Sequence, residues 1–164
     1  MYRTFIKSGL AFLTLLLLLL VACQSTSIRY LGKHADPELV IPLPGSVAKD
    51  QWETDDLSIT YSYSESSQTF QITGQITLAD KYAEIYHVLD LFYVHILFLD
   101  SNLSVIKTEI LADPVAAHPK ERFLFDKSFH IPQTATAFSF AYYGTAREMD
   151  RKGGNSVTFF HVPK

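Results

Sequence analysis

Two short runs of sequence decide the fold: LSITYSY at residues 57–63 and FQITGQITL at residues 70–78. In both runs apolar and polar side chains alternate, so one side of the chain is apolar and the other is polar. This period of two is typical of an antiparallel strand with one face in the core and one in water. The polar stretch 65–68 between the runs predicts a hairpin loop. Gly74, inside the second run, predicts either a bulge or a close neighbour.

Strand patterns continue toward the C-terminus. Residues 88–99 are apolar at nearly every position, as in a central strand covered on both faces, and the turn signal Asp100-Ser101-Asn102 follows. Further strands are predicted at 105–111, 123–131 (broken near Asp126 and Lys127), 137–143 and 157–162. About seven strands without a long helical stretch indicate an all-β fold, an antiparallel β-sandwich that is immunoglobulin-like in general shape. The cysteine pair and strand tryptophan of true immunoglobulin domains are absent from this pattern.

The segment 80–89 leaves two alternatives open. Its apolar side chains stand at helical spacing after Asp80, a candidate N-cap, and they are Tyr82, Ile85, Tyr86 and Leu89. The spacing favours a short helix and a structured loop between strands about equally.

The residues before 57 have a different character. Pro37, Pro42, Pro44 and Gly45 argue against a long regular element there. Trp52 and the apolar triplet at 39–41 are nevertheless unusual for a free linker, so we expect this part to lie against the domain.

The N-terminus has the features of a secretory signal peptide. Arg3 and Lys7 form a positive region, and residues 9–22 form an apolar run interrupted only by Thr14. The run is shorter than the ~20 residues that a helix needs to cross a bilayer, so a stable transmembrane anchor is the weaker interpretation.

The end of this run, Leu20-Val21-Ala22-Cys23, resembles the lipobox of bacterial lipoproteins. The resemblance implies that Cys23, the single cysteine of the chain, receives a diacylglycerol and becomes the N-terminus after cleavage. Acyl chains on Cys23 would hold the protein at a membrane, since two or more chains bind firmly. Gln24, where aspartate tends to mark inner-membrane retention, favours the outer membrane. The chain would then divide into a signal peptide (1–22), a lipidated tether with a lead-in segment (23–56) and a β-sandwich domain (57–164).

Charge and cysteine content narrow the classes of partner. Loss of Arg3 and Lys7 with the signal peptide changes the formal net charge from −3 to −5. A mildly acidic domain without a cluster of Lys and Arg argues against nucleic acid as a partner. With Cys23 acylated, no disulfide can form within the mature chain.

No recognisable motif indicates catalysis, a cofactor or a metal. The six histidines (His34, His87, His95, His118, His130 and His161) lack the two- or four-residue spacing that places ligands on one side of an element. His95, inside an apolar strand, is expected to be a hydrogen-bonded core residue or an interface residue. The S-x-x-K match at 104–107 lacks its partner motifs and the required helices. Asp55, Asp56, Asp80 and Glu84 are expected to be solvated, because the sequence shows no pairing among them.

We therefore expect a non-enzymatic envelope lipoprotein that serves as a binding, assembly or structural module for an envelope protein partner. A carrier or receptor for a hydrophobic ligand or glycan and an envelope hydrolase are the alternatives. Most of the 12 Phe and 9 Tyr must fill the core, and the polar loop 148–156 and the outer strands are the expected contact surfaces. A large interior cavity would favour the carrier. A cleft with coupled titratable groups would favour the hydrolase, and an exposed apolar patch would favour the binding module.

Overall fold

Two antiparallel sheets pack face to face in the computed structural model, which describes residues 30–43, 45–114, 116–149 and 154–164. The predicted β-sandwich is confirmed, with nine strands within these ranges where the sequence indicated about seven. The strands are β1 (Ile41–Pro42), β2 (Ser46–Glu53), β3 (Leu57–Ser66), β4 (Thr69–Leu78), β5 (Val88–Leu99), β6 (Val105–Ala112), β7 (Phe123–His130), β8 (Ala137–Arg147) and β9 (Ser156–His161).

The four-stranded sheet has the order β2-β3-β4-β7, and the five-stranded sheet has the order β6-β5-β8. Both β1 and β9 complete the second sheet by pairing with β8: β1 pairs with the start of β8, and β9 pairs with its last six residues. β5 is therefore a central strand, as predicted.

The alternating runs form the β3–β4 hairpin, whose pairs run without interruption from Leu57 opposite Leu78 to Ser66 opposite Thr69. Ser67 and Gln68 make the turn, and Ser67 has a positive φ of 58°. Of the two alternatives at Gly74, the close neighbour is correct, because the register on both sides of Gly74 is continuous. A Cβ at this position would lie 2.7 Å from Cζ of Phe125.

The strands begin earlier in the chain than expected. β1 and β2 both precede residue 57, so the lead-in segment contributes to both sheets. Trp52, on β2, is buried; it packs edge-on against Phe140 at 5.4 Å and donates a hydrogen bond from Nε1 to the carbonyl of Leu39 at 3.0 Å. The expectation that Trp52 lies against the domain is met, because strand pairing brings the segment into the core.

Two local predictions are corrected. The strand expected to break near Asp126 and Lys127 is continuous, since β7 pairs with β4 over its whole length. β7 is an edge strand, so both charged side chains reach solvent without interrupting the ladder. In the 80–89 segment, Asp80–Ala83 form one helical turn (α1) that a loop follows, and Ala79 rather than Asp80 occupies the N-cap.

The core between the sheets is filled by aromatic rings. Phe70 and Tyr63 from the four-stranded sheet lie 5.0 and 5.2 Å from the ring of Phe138 in the other sheet, and Tyr61 lies 5.6 Å from Phe140. Most of these contacts are edge-to-face, the arrangement that aromatic quadrupoles favour. The alternation of β3 and β4 thus supplies one wall of the core, and that of β8 supplies the other.

Candidate binding surface

The outer face of the five-stranded sheet is almost free of charge. Phe92, Val94 and Phe159 point into the core, so the residues that alternate with them along each strand point outward. The outward-facing residues in the central rows include no acid, lysine or arginine. These residues are Leu91, Tyr93, His95, Leu97, Leu99, Ala137, Ser139, Ala141, Tyr143, Thr145, Thr158 and Phe160.

One half of this face is covered by the beginning of the described chain. Residues 30–40 cross it, and their buried side chains form a second, smaller core with residues from β5, β6 and β8, namely Tyr30, Ala35, Leu97, Leu99, Val105, Ala137 and Ala141. Backbone hydrogen bonds hold the segment: the amide of Gly32 donates to Val105 at 2.9 Å, and that of Ala35 donates to Leu103 at 3.0 Å.

The other half of the face is open, and its large side chains are apolar. Tyr93, Tyr143 and Phe160 form a row across β5, β8 and β9, since Tyr93 pairs with Tyr143 and Tyr143 pairs with Phe160. Phe160 is 58% exposed and Tyr93 is 37% exposed. Leu91 and Ile110, both about as exposed as Tyr93, lie beside this row. We call these five residues the outer patch.

The outer face of the four-stranded sheet has the opposite character. Its outward positions on β3 and β4 carry hydroxyl and amide groups: Ser58, Thr60, Ser62, Ser64, Gln71, Thr73, Gln75 and Thr77. Ser62 and Thr73 are hydrogen-bonded to each other at 3.0 Å. Leu124 on β7 stands alone among them as a large apolar side chain, 78% exposed. The outer patch is therefore a property of one sheet and not of the surface in general.

His95 lies at the boundary between the covered and open halves. Its ring packs edge-on against Tyr30 at 5.6 Å and is buried. Burial lowers its pKa, so the imidazole is neutral at neutral pH and behaves as part of an apolar surface. The expected hydrogen bond is not seen at Nδ1, which has no partner among the described residues.

A second cluster of polar groups surrounds Asp56, in the loop between β2 and β3. Its Oδ1 accepts a hydrogen bond from the Tyr82 hydroxyl at 2.6 Å and lies 3.1 Å from Nζ of Lys81, both on α1. Its Oδ2 accepts from the Tyr142 hydroxyl on β8 at 2.8 Å. The hydroxyl of Thr54 lies 2.8 Å from that of Tyr142. The cluster thus connects the two sheets and the helical turn.

The pKa shifts of Asp56 and its two tyrosine partners indicate a structural role for this cluster. Burial alone would raise the pKa of Asp56, but hydrogen bonds from Tyr82, Tyr142 and Lys81 outweigh it and lower the pKa. Burial and the neighbouring carboxylate raise the pKa of both phenols. The carboxylate therefore stays charged and the phenols stay protonated near neutral pH, so neither is poised to exchange a proton in a reaction. Asp55, Asp80 and Glu84 are exposed, as expected.

An open pocket of about 500 Å³ lies beside the outer patch and shares Phe160 with it. Residues 34–37 and 160–164 line it. His161 contacts the rings of Trp52 and Tyr142 at 5.6 and 6.1 Å, and burial lowers its pKa. Its neutral imidazole extends the apolar character of this edge of the sheet.

The structure describes some of the residues that the sequence analysis singled out and not others. Cys23 lies outside the described residues, as do residues 150–153 of the expected contact loop 148–156. The base of that loop is closed by the amide of Glu148, which donates to the carbonyl of Asn155 at 3.0 Å. The rings of His87 and His118 lie 6.2 Å apart, but where the structure describes the chain, no three His, Cys, Asp or Glu residues are placed to hold a metal.

The outer patch was not predicted. The strand 88–99 was expected to be covered on both faces, which is correct for its second half, whereas Leu91 and Tyr93 in the first half are exposed. The sequence does carry a signal for it, because every second residue of β5, β8 and β9 in this region is uncharged. The signal is hard to use in advance, since these three strands become neighbours only in the folded protein.

Searches of protein-family models, of curated proteins and of solved structures found no match for this chain. Across the described ranges, no helix has the length and apolar content required to span a bilayer.

Proposed function

We propose that this protein is a lipid-anchored, non-enzymatic binding module of a bacterial cell envelope. Acyl chains on Cys23 would hold it at a membrane, with the outer membrane favoured, and the outer face of the five-stranded sheet would be its contact surface. The observation that carries the proposal is the outer patch, because exposed apolar patches on soluble domains mark interaction sites. Leu91, Tyr93 and Phe160 are exposed, so packing in the core does not explain why these side chains are apolar.

The binding module is favoured over the two alternatives by the interior of the domain. Aromatic rings from both sheets occupy the space where a carrier of the predicted kind would hold its ligand. A hydrolase would need groups that titrate near neutral pH. The cluster around Asp56 instead holds a charged carboxylate between protonated phenols, as a brace does.

The anchor is tested by Cys23→Ala in the full chain, expressed in a bacterium and followed by fractionation and intact-mass analysis. We expect the wild-type protein in the membrane fraction, lacking residues 1–22 and carrying acyl mass. The variant should accumulate as a precursor or in the soluble envelope fraction, because no thiol is available for acylation. Ser25→Ala, two residues away, is the control and should behave as wild type.

Wild-type protein that retains residues 1–22 without acyl mass would contradict the anchor. Photo-cross-linking in the native envelope, with both lipid and protein adducts identified by mass spectrometry, then tests the binding role. Cross-links should concentrate on β5, β8 and β9; cross-links confined to the four-stranded sheet would place the contact surface elsewhere.

A further inference from the structure

We propose that the outer patch is a membrane-contact surface, lying on the lipid interface beside the anchor. The inference rests on the proposed acylation of Cys23 and adds the orientation of the domain. The five-stranded sheet would face the bilayer, and the polar outer face of the four-stranded sheet would face water.

The path of the chain supports this orientation. Tyr30, where the described chain begins, lies on the ring of His95, and His95 is flanked on the same face of β5 by Tyr93 and paired across to Ile110. The chain from Cys23 therefore joins the domain at the edge of the outer patch. Six residues lie between Cys23 and Tyr30, which makes seven Cα-to-Cα steps, so the chain between them can span at most ~25 Å. An acylated Cys23 would keep this face, and not the opposite one, within easy reach of the headgroups.

The composition of the patch suits a lipid interface. Tyr93 and Tyr143 combine apolar rings with polar hydroxyl groups, and aromatic rings of this kind are enriched where membrane meets water. Leu91, Ile110 and Phe160 supply apolar surface without a charge that would have to be desolvated.

The charges around the patch predict which lipids it accepts. Arg147 on β8, near Leu91, is paired with Asp90 at 2.8 Å. That pair leaves no net charge beside Leu91, and the pocket that shares Phe160 with the patch is lined by one basic and one acidic residue, Lys164 and Asp36. The described charges near the patch are therefore of both signs, so contact should not depend strongly on anionic headgroups. The patch is small, but an acyl anchor would hold it at a high effective concentration beside the bilayer.

The test uses the full mature lipoprotein in phosphatidylcholine vesicles that contain doxyl-labelled quencher lipids. Phe160→Cys carries an environment-sensitive fluorophore in the outer patch, and Leu124→Cys carries the same fluorophore on the opposite sheet as the matched control. Both side chains are exposed, so neither label needs to enter the core. We expect several-fold stronger lipid quenching at position 160 than at position 124, and the same ratio when phosphatidylglycerol replaces part of the phosphatidylcholine.

A second variant tests whether the patch itself makes the contact. Leu91→Asp in the Phe160→Cys background should reduce quenching toward the level at position 124, while the far-UV spectrum stays that of the parent. Weak and equal quenching at positions 160 and 124, in protein that carries acyl mass, would overturn the inference and leave the anchor intact. Absence of acyl mass would overturn both. Shielding of position 160 only in native envelopes, or only by a second copy of the chain, would assign the patch to a protein partner and overturn the lipid contact.

Discussion

Single residues decide how the two sheets are held together, and Asp56 is the clearest case. Its two carboxylate oxygens accept from Tyr82 on α1 and from Tyr142 on β8, 86 positions away in the sequence. Hydrogen bonds to a charged group are stronger than those between neutral groups. Lys81 balances the charge at 3.1 Å. A residue that the sequence marks only as one of several acids is therefore a structural connection between distant elements.

Asp56→Asn should lower the free energy of unfolding by about 1–3 kcal/mol, because the amide cannot accept from both phenols and no longer pairs with Lys81. Urea unfolding measures the change. Asp55→Asn makes the same substitution at an exposed neighbour and should alter stability by less than about 0.5 kcal/mol.

The effect of Asp56→Asn should also depend on pH. The folded-state pKa of Asp56 lies below the ordinary value of 3.8, so the unfolded carboxyl takes up a proton first as the pH falls. The stabilisation by Asp56 is therefore complete above about pH 3.8 and is lost as the pH falls through the lower, folded-state pKa. The difference between wild type and Asp56→Asn should shrink over that acidic range, and a difference that grows there would show that another group is responsible.

Two glycines show how elements are fitted to one another. Gly74 on β4 pairs with Phe125 on β7, and Gly144 on β8 pairs with Phe159 on β9. In each case the phenylalanine ring lies where a Cβ would be; Cε2 of Phe159 would be 2.6 Å from a Cβ at Gly144. The missing side chain lets an aromatic ring cover the strand, a known way to stabilise a glycine in a sheet.

Gly74→Ala should destabilise the domain by about 1–3 kcal/mol, since the added methyl would overlap the backbone carbonyl oxygen of Thr60 on β3 and the Phe125 ring on β7. Thermal or urea unfolding gives the magnitude. Gly45→Ala is the matched control, because its nearest atom, the Tyr63 hydroxyl oxygen, is 3.6 Å away. Equal stability of the two variants would mean that β3 and β7 can both shift away from β4 at this point without cost in free energy.

The described part of the molecule has a main core between the sheets, a smaller core beneath residues 30–40, and two unlike outer faces. The main core lies between the sheets; its buried residues run from Trp52 to Phe159, and Leu39, Ile41 and Leu43 pack against it. Because this interior is complete among the described residues, folding should not require the lipid proposed at Cys23. Because one outer face is apolar and the other is polar, the two sides of the domain can be distinguished by a partner or a membrane.

Residues 24–164 should therefore fold without acyl chains into a monomeric domain with a far-UV spectrum dominated by β-structure. Light scattering and circular dichroism test the two claims, and a mainly helical spectrum would refute the second. Within this domain Ile96→Asp should cost several kcal/mol, because Ile96 is fully buried at the centre of β5. Leu124→Asp, the same kind of change at an exposed position, should melt as wild type does.

Much of the architecture follows from the sequence alone. The alternation at 57–63 and 70–78 predicted β3 and β4, and the nearly continuous apolar run predicted β5 at its observed bounds of 88–99. These predictions succeed because a strand sorts its side chains onto two faces with a period of two, a local rule that needs no partner. The resemblance at Cys23 is likewise local and stays a prediction.

Only the tertiary structure decided which strands meet and which faces remain open. The sequence could not place Asp56 beside Tyr142, nor show that Tyr93, Tyr143 and Phe160 form one row, because these residues come from segments that pair across long distances in the chain. It could not show that Lys127 stands on an edge strand, where a charge leaves the ladder intact. Local pattern determines the two sides of a strand, but burial depends on what packs against each side, and that is a property of the whole fold.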